Sequence, residues 1–199
     1  MERARARPTV AALAMALALA ACGGGAGTAT GVIETVSPAE AAGIVGEGRP
    51  DLVVLDVRTP EEFVFVGHAP MSTNIPFALQ TYEWDPEKKA LRWEMNPDFV
   101  AEVKGWAAPD DTILVSCRSG GRSAMAINAL AAAGFTRVYN ILDGMEGSQV
   151  KDPDSVFDGM RMKNGWKNSG LPWTYEIDPA RMKLPPRQSR TFVPGNEHD

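Results

Sequence analysis

Apolar positions fall into short continuous runs separated by amphipathic stretches, and capping residues mark where one kind gives way to the other. Residues 51–57 read Asp-Leu-Val-Val-Leu-Asp-Val, a nearly unbroken apolar run of the kind found in a strand buried on both faces of a parallel sheet. Residues 32–36, 73–76, 112–116 and 137–141 supply further short strand signals. Between them, Ser37-Pro38-Ala39-Glu40 places an N-cap, a proline at the first helical position and a glutamate at capping-box spacing. This predicts a helix over 38–45, closed by Gly46 and Gly48. Thr59-Pro60-Glu61-Glu62 repeats that logic for a second helix, and Asn96-Pro97-Asp98 starts a third running to about Trp106. An alanine-rich helix is predicted over 122–133, ended by Gly134. Strands alternating with helices at these spacings predict an α/β architecture with a mainly parallel central sheet.

Two segments stand outside this alternation. Residues 78–94 hold Tyr82, Trp84, Asp85, Pro86 and Trp93 between a strand and a helix, and read as a hairpin-like insertion. Residues 150–199 are proline-rich and weakly periodic, with the part from about Arg181 expected to be extended or disordered. No internal repeat is present, and 199 residues with 44% hydrophobic content suit a single core. A net charge of -5 leaves no basic footprint, so nucleic-acid binding is disfavoured.

The amino-terminal residues have a different logic. Arg3, Arg5 and Arg7 precede an apolar run over 10–21, which ends in Leu19-Ala20-Ala21-Cys22 and then Gly23-Gly24-Gly25. That is the anatomy of a signal peptide over 1–21. The run falls short of the ~20 residues that cross a bilayer, so a permanent transmembrane helix is not expected. The small residues before Cys22 resemble a bacterial lipobox, which implies cleavage there and acylation of Cys22. Several acyl chains, each adding about 0.8 kcal/mol per buried methylene, would anchor the protein stably on the extracytoplasmic side of a membrane, facing the periplasm or the cell surface. Residues 22–31 then form a flexible tether.

Acylation of Cys22 would leave Cys117 as the free thiol in an oxidising compartment. Cys117 follows the strand over 112–116 and opens Cys117-Arg118-Ser119-Gly120-Gly121-Arg122-Ser123, just before a helix. Ligands of parallel sheets bind beyond the carboxyl ends of the strands, where this loop falls. Backbone N–H groups at the helix start, with Arg118 and Arg122 nearby, favour a thiolate. Gly120 and Gly121 let the backbone curl so that those N–H groups turn inward, forming a cradle for an anionic donor such as thiosulfate.

Other candidates carry less. Asp56 and Arg58 follow the central apolar strand and are placed to support the loop or one another by a charge-assisted hydrogen bond. His68 reads as a packing residue, and with His198 as its sole companion no metal-ligand cluster is expected. The tryptophans at 84, 93, 106, 166 and 173 read mostly as core or pocket wall.

Three motifs, in order, resemble the rhodanese family. Leu55-Asp56-Val57-Arg58-Thr59-Pro60-Glu61-Glu62-Phe63, with Gly67-His68-Ala69-Pro70 and Asn74-Ile75-Pro76, is similar to its first conserved region. Ser116-Cys117-Arg118-Ser119-Gly120-Gly121-Arg122-Ser123 is similar to its active-site loop. Asn140-Ile141-Leu142-Asp143-Gly144-Met145, followed after an apparent insertion over 149–163 by Trp166-Lys167-Asn168-Ser169-Gly170-Leu171-Pro172, resembles its closing region. Met71-Ser72 replaces a small glycine-alanine pair of the family, and the 78–94 stretch is longer than a minimal domain needs.

The resemblance implies a three-layer α/β/α domain over 32–173 with a proline-rich tail over 174–199. It also implies sulfur transfer through a Cys117 persulfide. The donor would be thiosulfate or another sulfane, and the acceptor a thiol, sulfite or cyanide, with no cofactor. Arg118, Ser119, Gly120, Gly121 and Arg122 would form the cradle. A persulfide carrier serving an extracytoplasmic protein partner is a second reading. A cysteine-dependent phosphatase or arsenate reductase is a third, but Cys117 and Arg122 enclose four residues where the phosphatases that resemble this fold carry five.

Overall fold

The computed structural model of the chain describes residues 34–183. In chain order its elements are β1 (Thr35–Val36), α1 (Pro38–Gly46), β2 (Leu52–Asp56), α2 (Pro60–Val66), β3 (Ser72–Asn74), β4 (Ala78–Asp85) and β5 (Ala90–Met95). There follow α3 (Phe99–Lys104), β6 (Thr112–Ser116), α4 (Gly121–Ala132), β7 (Arg137–Ile141), β8 (Ser148–Gln149), β9 (Arg161–Lys163), α5 (Gly165–Asn168) and a 3-10 turn at Pro179–Arg181. The main sheet has the order β1-β7-β6-β2-β3, with each pairing parallel.

Alternation along β2 and β6 divides the core in two. Leu55, Ile113 and Val115 face one side, packed with Phe99 and Val103 of α3 and with Ala126, Ile127 and Leu130 of α4. Val54 and Leu114 face the other, packed with Ala41 of α1 and Trp166 of α5. Each fully buried Leu or Ile of these strands contributes about 1.5–3 kcal/mol, which fixes the register. Helices therefore cover both faces of a parallel sheet, as the sequence pattern predicted.

Both capping boxes form. The Ser37 and Thr59 side chains accept from the backbone N–H of Glu40 and Glu62, and those glutamates accept in return from the cap N–H. The third helix start differs from expectation: α3 begins at Phe99 and Asp98 makes no side-chain cap. Asn96 takes over the local turn, accepting from Asp98 N–H at 3.0 Å and donating to Pro76 O at 2.9 Å.

The 78–94 insertion is an antiparallel hairpin of β4 and β5, closed at its base by Asn96 N–H donating to Phe77 O at 3.0 Å. No further layer covers the hairpin among the described residues, so Trp84 and Trp93 lie partly exposed, and Trp106 with them, outside the core. Trp166 is buried as expected. The 149–163 insertion forms the small β8–β9 ladder.

Beyond Trp173 the chain stays on the domain. Thr174 exchanges backbone hydrogen bonds with His68, and Lys183 N–H donates to Asn74 O. Arg181 donates to Met71 O at 2.9 Å. Free strand-edge groups beside β3 give this segment its partners. Residues 1–33, with the expected signal peptide and Cys22, and residues 184–199 lie outside the described residues.

Candidate functional site

A fully buried strand of the sheet delivers the cysteine. All five residues of β6 are buried, with β2 on one side and β7 on the other, and Cys117 follows at the carboxyl end. Its side chain is nearly fully buried. The loop turns at Gly120, whose φ of 110° lies where a side chain would be strained. That turn directs the Gly120 N–H at Cys117 Sγ, at 3.1 Å. The first N–H groups of α4 have no partner within the helix and add positive potential to the same place. Ser123, one turn into α4, sets its hydroxyl 3.6 Å from Sγ and 2.7 Å from Asn140 Oδ1.

A second turn braces the loop from behind. Met145 and Glu146 N–H groups donate to the carbonyls of Cys117 and Arg118, at 2.8 and 3.0 Å. This approach requires Gly144, which has φ of 63°; a Cβ there would stand 2.4 Å from the Cys117 carbonyl oxygen.

Asp56 and Arg58 form a fully buried pair: Arg58 Nε lies 3.0 Å from both carboxylate oxygens and Nη2 donates to Asp56 Oδ2 at 2.7 Å. Arg58 also donates to Gly67 O at 2.8 Å and to Glu146 Oε1 at 3.1 Å. Burial opposes the Arg58 charge, but Asp56 and then Glu146 outweigh it and raise its pKa above the ordinary arginine value. The pair thus reaches the loop through Glu146. That residue's second oxygen is 3.5 Å from Arg118 Nε.

The two loop arginines differ. Arg118 is half exposed, while both Arg122 Nη groups are held in a two-pronged ion pair with Glu62, at 2.6 and 2.7 Å. Burial pushes the Glu62 carboxyl up, and the Arg122 hydrogen bonds and charge more than reverse this, holding it below the usual value. The Arg122 guanidinium also lies 4.9 Å from the Trp93 ring centre, so the β4–β5 hairpin borders the loop.

His68 is buried, its Nδ1 3.1 Å from the Phe63 carbonyl and its ring stacked on Phe63 at 3.7 Å. It therefore packs, and Nδ1 is the protonated nitrogen, since a carbonyl oxygen can only accept. Among the described residues no group of acidic, histidine and cysteine side chains is arranged to hold a metal ion. Glu62, Ser123, Asn140 and Glu146 were not singled out from the sequence. Glu62 stands in the sequence as a cap and as part of the first motif, Ser123 and Asn140 stand only within motifs, and Glu146 lies one residue beyond 140–145.

A family model described as "Rhodanese-like domain" matches residues 37–151. "Thiosulfate sulfurtransferase 16, chloroplastic" of Arabidopsis thaliana is 42% identical over 90 residues, spanning 45% of this chain and 68% of that protein. "Thiosulfate sulfurtransferase 18" of the same plant is 40% identical over 92 residues, spanning 45% of this chain and 61% of its own length. The chain thus spans about two thirds of the length of these relatives. The crystal structure of Rv0390 from M. tuberculosis superposes with a TM-score of 0.57 at 28% identity, covering 73% of this chain and 100% of that one. With its parallel sheet, its cysteine loop at the sheet's carboxyl end and this match over more than half its length, the chain belongs to the rhodanese-like domain family.

Proposed function

We propose that this chain is a sulfurtransferase in which Cys117 carries a sulfane sulfur from donor to acceptor. The observation that carries the reading is the Gly120 N–H directed at a buried Cys117 Sγ, 3.1 Å away at the start of α4. A donor hydrogen bond in a water-poor site stabilises negative charge on sulfur, the charge that both thiolate and persulfide bear.

In the first half-reaction the Cys117 thiolate attacks the outer sulfur of thiosulfate or a persulfide. The donor S–S bond breaks, its electron pair leaves with sulfite or a thiolate, and a Cys117 persulfide anion results. In the second, a thiol, sulfite or cyanide attacks the terminal sulfur, and the Cys117 thiolate leaves with the electron pair of the S–S bond. Storing the sulfur covalently divides one transfer into two easier ones.

The engagement of both Arg122 Nη groups by Glu62 favours sulfur over phosphoryl chemistry, which needs a free guanidinium for its equatorial oxygens. As part of the same proposal, the domain is held on the extracytoplasmic side of a bacterial membrane by an acylated Cys22. Its support is the arginine-led apolar run that ends in small residues before Cys22.

Thiocyanate formation from thiosulfate and cyanide tests the transfer. Parallel double-reciprocal lines and loss of turnover in Cys117→Ser are expected. Turnover that survives Cys117→Ser, or phosphate release from an aryl phosphate that Cys117→Ala abolishes, would contradict it.

A further inference from the structure

Every arginine around the Cys117 loop has a carboxylate beside it. Arg122 has Glu62, Arg58 has Asp56, and Glu146 lies between Arg58 and Arg118 at 3.1 and 3.5 Å. Over these six side chains the charge is zero. The cradle's attraction for an anion therefore rests mainly on backbone N–H groups, whose summed effect at a helix start equals only about half a positive charge.

Glu146 is the member of this set that decides the balance. Its side chain is nearly buried. Its backbone is fixed on both sides, the N–H donating to Arg118 O and the carbonyl accepting from Asn168 Nδ2 at 3.0 Å. Its carboxylate is held by the buried Arg58 at 3.1 Å. Its carboxylate thus stands beside Arg118, the half-exposed cation next to Cys117, and offsets it.

Resting on the sulfurtransfer reading above, we propose that Glu146 sets the donor specificity of this loop. It selects against compact dianions such as thiosulfate and for sulfane donors with a single negative charge at the sulfur-bearing end, namely thiosulfonates and persulfides. A dianion brought to a thiolate meets the Glu146 charge twice over, and a monoanion meets it once. With a thiosulfonate the atoms and charges balance: the thiolate takes the outer sulfur, the bond between the two donor sulfurs breaks, and a sulfinate anion leaves with its electron pair, so two anions enter and two emerge.

Methanethiosulfonate is the probe, because it is thiosulfate with one charged oxygen replaced by methyl, and its reacting sulfur is unchanged. Kcat/KM is measured for both donors with cyanide as acceptor, in wild type and Glu146→Gln. Wild type is expected to prefer methanethiosulfonate. The substitution is expected to raise kcat/KM for thiosulfate about fivefold to tenfold, mostly through KM, with about half that effect in logarithmic terms for methanethiosulfonate.

Raising ionic strength should narrow the difference between the two proteins. Glutamine keeps the hydrogen-bonding shape toward Arg58, and an unfolding curve checks that the variant folds. Arg118→Gln, at a half-exposed position, is the second arm and should widen the preference for methanethiosulfonate several-fold. A donor ratio unchanged in both variants overturns the proposal, while the sulfurtransfer reading stands if wild type turns over both donors. Failure of wild type to take sulfur from either donor overturns that reading and the proposal together.

Discussion

Two glycines beside Cys117 look equivalent in sequence and are opposite in the structure. Gly144 has φ of 63°, and a Cβ on it would collide with the Cys117 carbonyl oxygen. Gly121 opens α4 with open space where its Cβ would go. Gly144→Ala is therefore expected to lower stability by about 2–3 kcal/mol in urea unfolding, by strain and by forcing apart the two turns. Gly121→Ala should leave stability unchanged or raise it by up to about 1 kcal/mol, because alanine loses less entropy on folding. Equal losses at both would contradict this account of the loop. The distinction was invisible in the sequence, since a glycine letter shows that a side chain is absent and nothing about what lies in its place.

The same limit appears at the scale of elements. The capping boxes of α1 and α2 were legible because a cap is a local device, complete within Ser37-Pro38-Ala39-Glu40 and Thr59-Pro60-Glu61-Glu62. Glu62 has a further task across 60 positions of chain, where it fixes Arg122 at the start of α4. Local spacing cannot show such a pair, so the sequence places Arg122 in the cradle and says nothing of its partner.

The pair has a consequence for stability. Because Arg122 depresses the folded-state pKa of Glu62, the pair stabilises the fold fully above the ordinary glutamate value of 4.5, and the contribution fades as pH falls through the lower folded value. Glu62→Gln should cost about 1–3 kcal/mol near neutral pH. Unfolding curves of the two proteins should converge as pH drops below about 4, where protonation neutralises the wild-type side chain as well. A gap that stays constant with pH would assign the loss to packing.

For the molecule as a whole, strand and helix alternation sufficed to read the parallel sheet, and the hairpin over 78–94 was legible from its turn and aromatic residues. The packing of 174–183 along residues 68–74 was not, because its hydrogen-bond partners there are backbone groups that carry no side-chain signature. Membrane attachment through Cys22 can be read at this scale from labelling: cells expressing the full chain and fed an alkyne fatty acid should incorporate it, and Cys22→Ala should abolish incorporation. Label retained in the variant would contradict the anchor. The sulfur itself is the most direct test of what the domain does. The protein lacking residues 1–31 is exposed to a sulfane donor and its intact mass recorded, before and after addition of a thiol. The account predicts a gain of one sulfur atom on wild type, absent in Cys117→Ser, and its loss once the thiol is added. An unmodified Cys117 after exposure to both thiosulfate and methanethiosulfonate would contradict it.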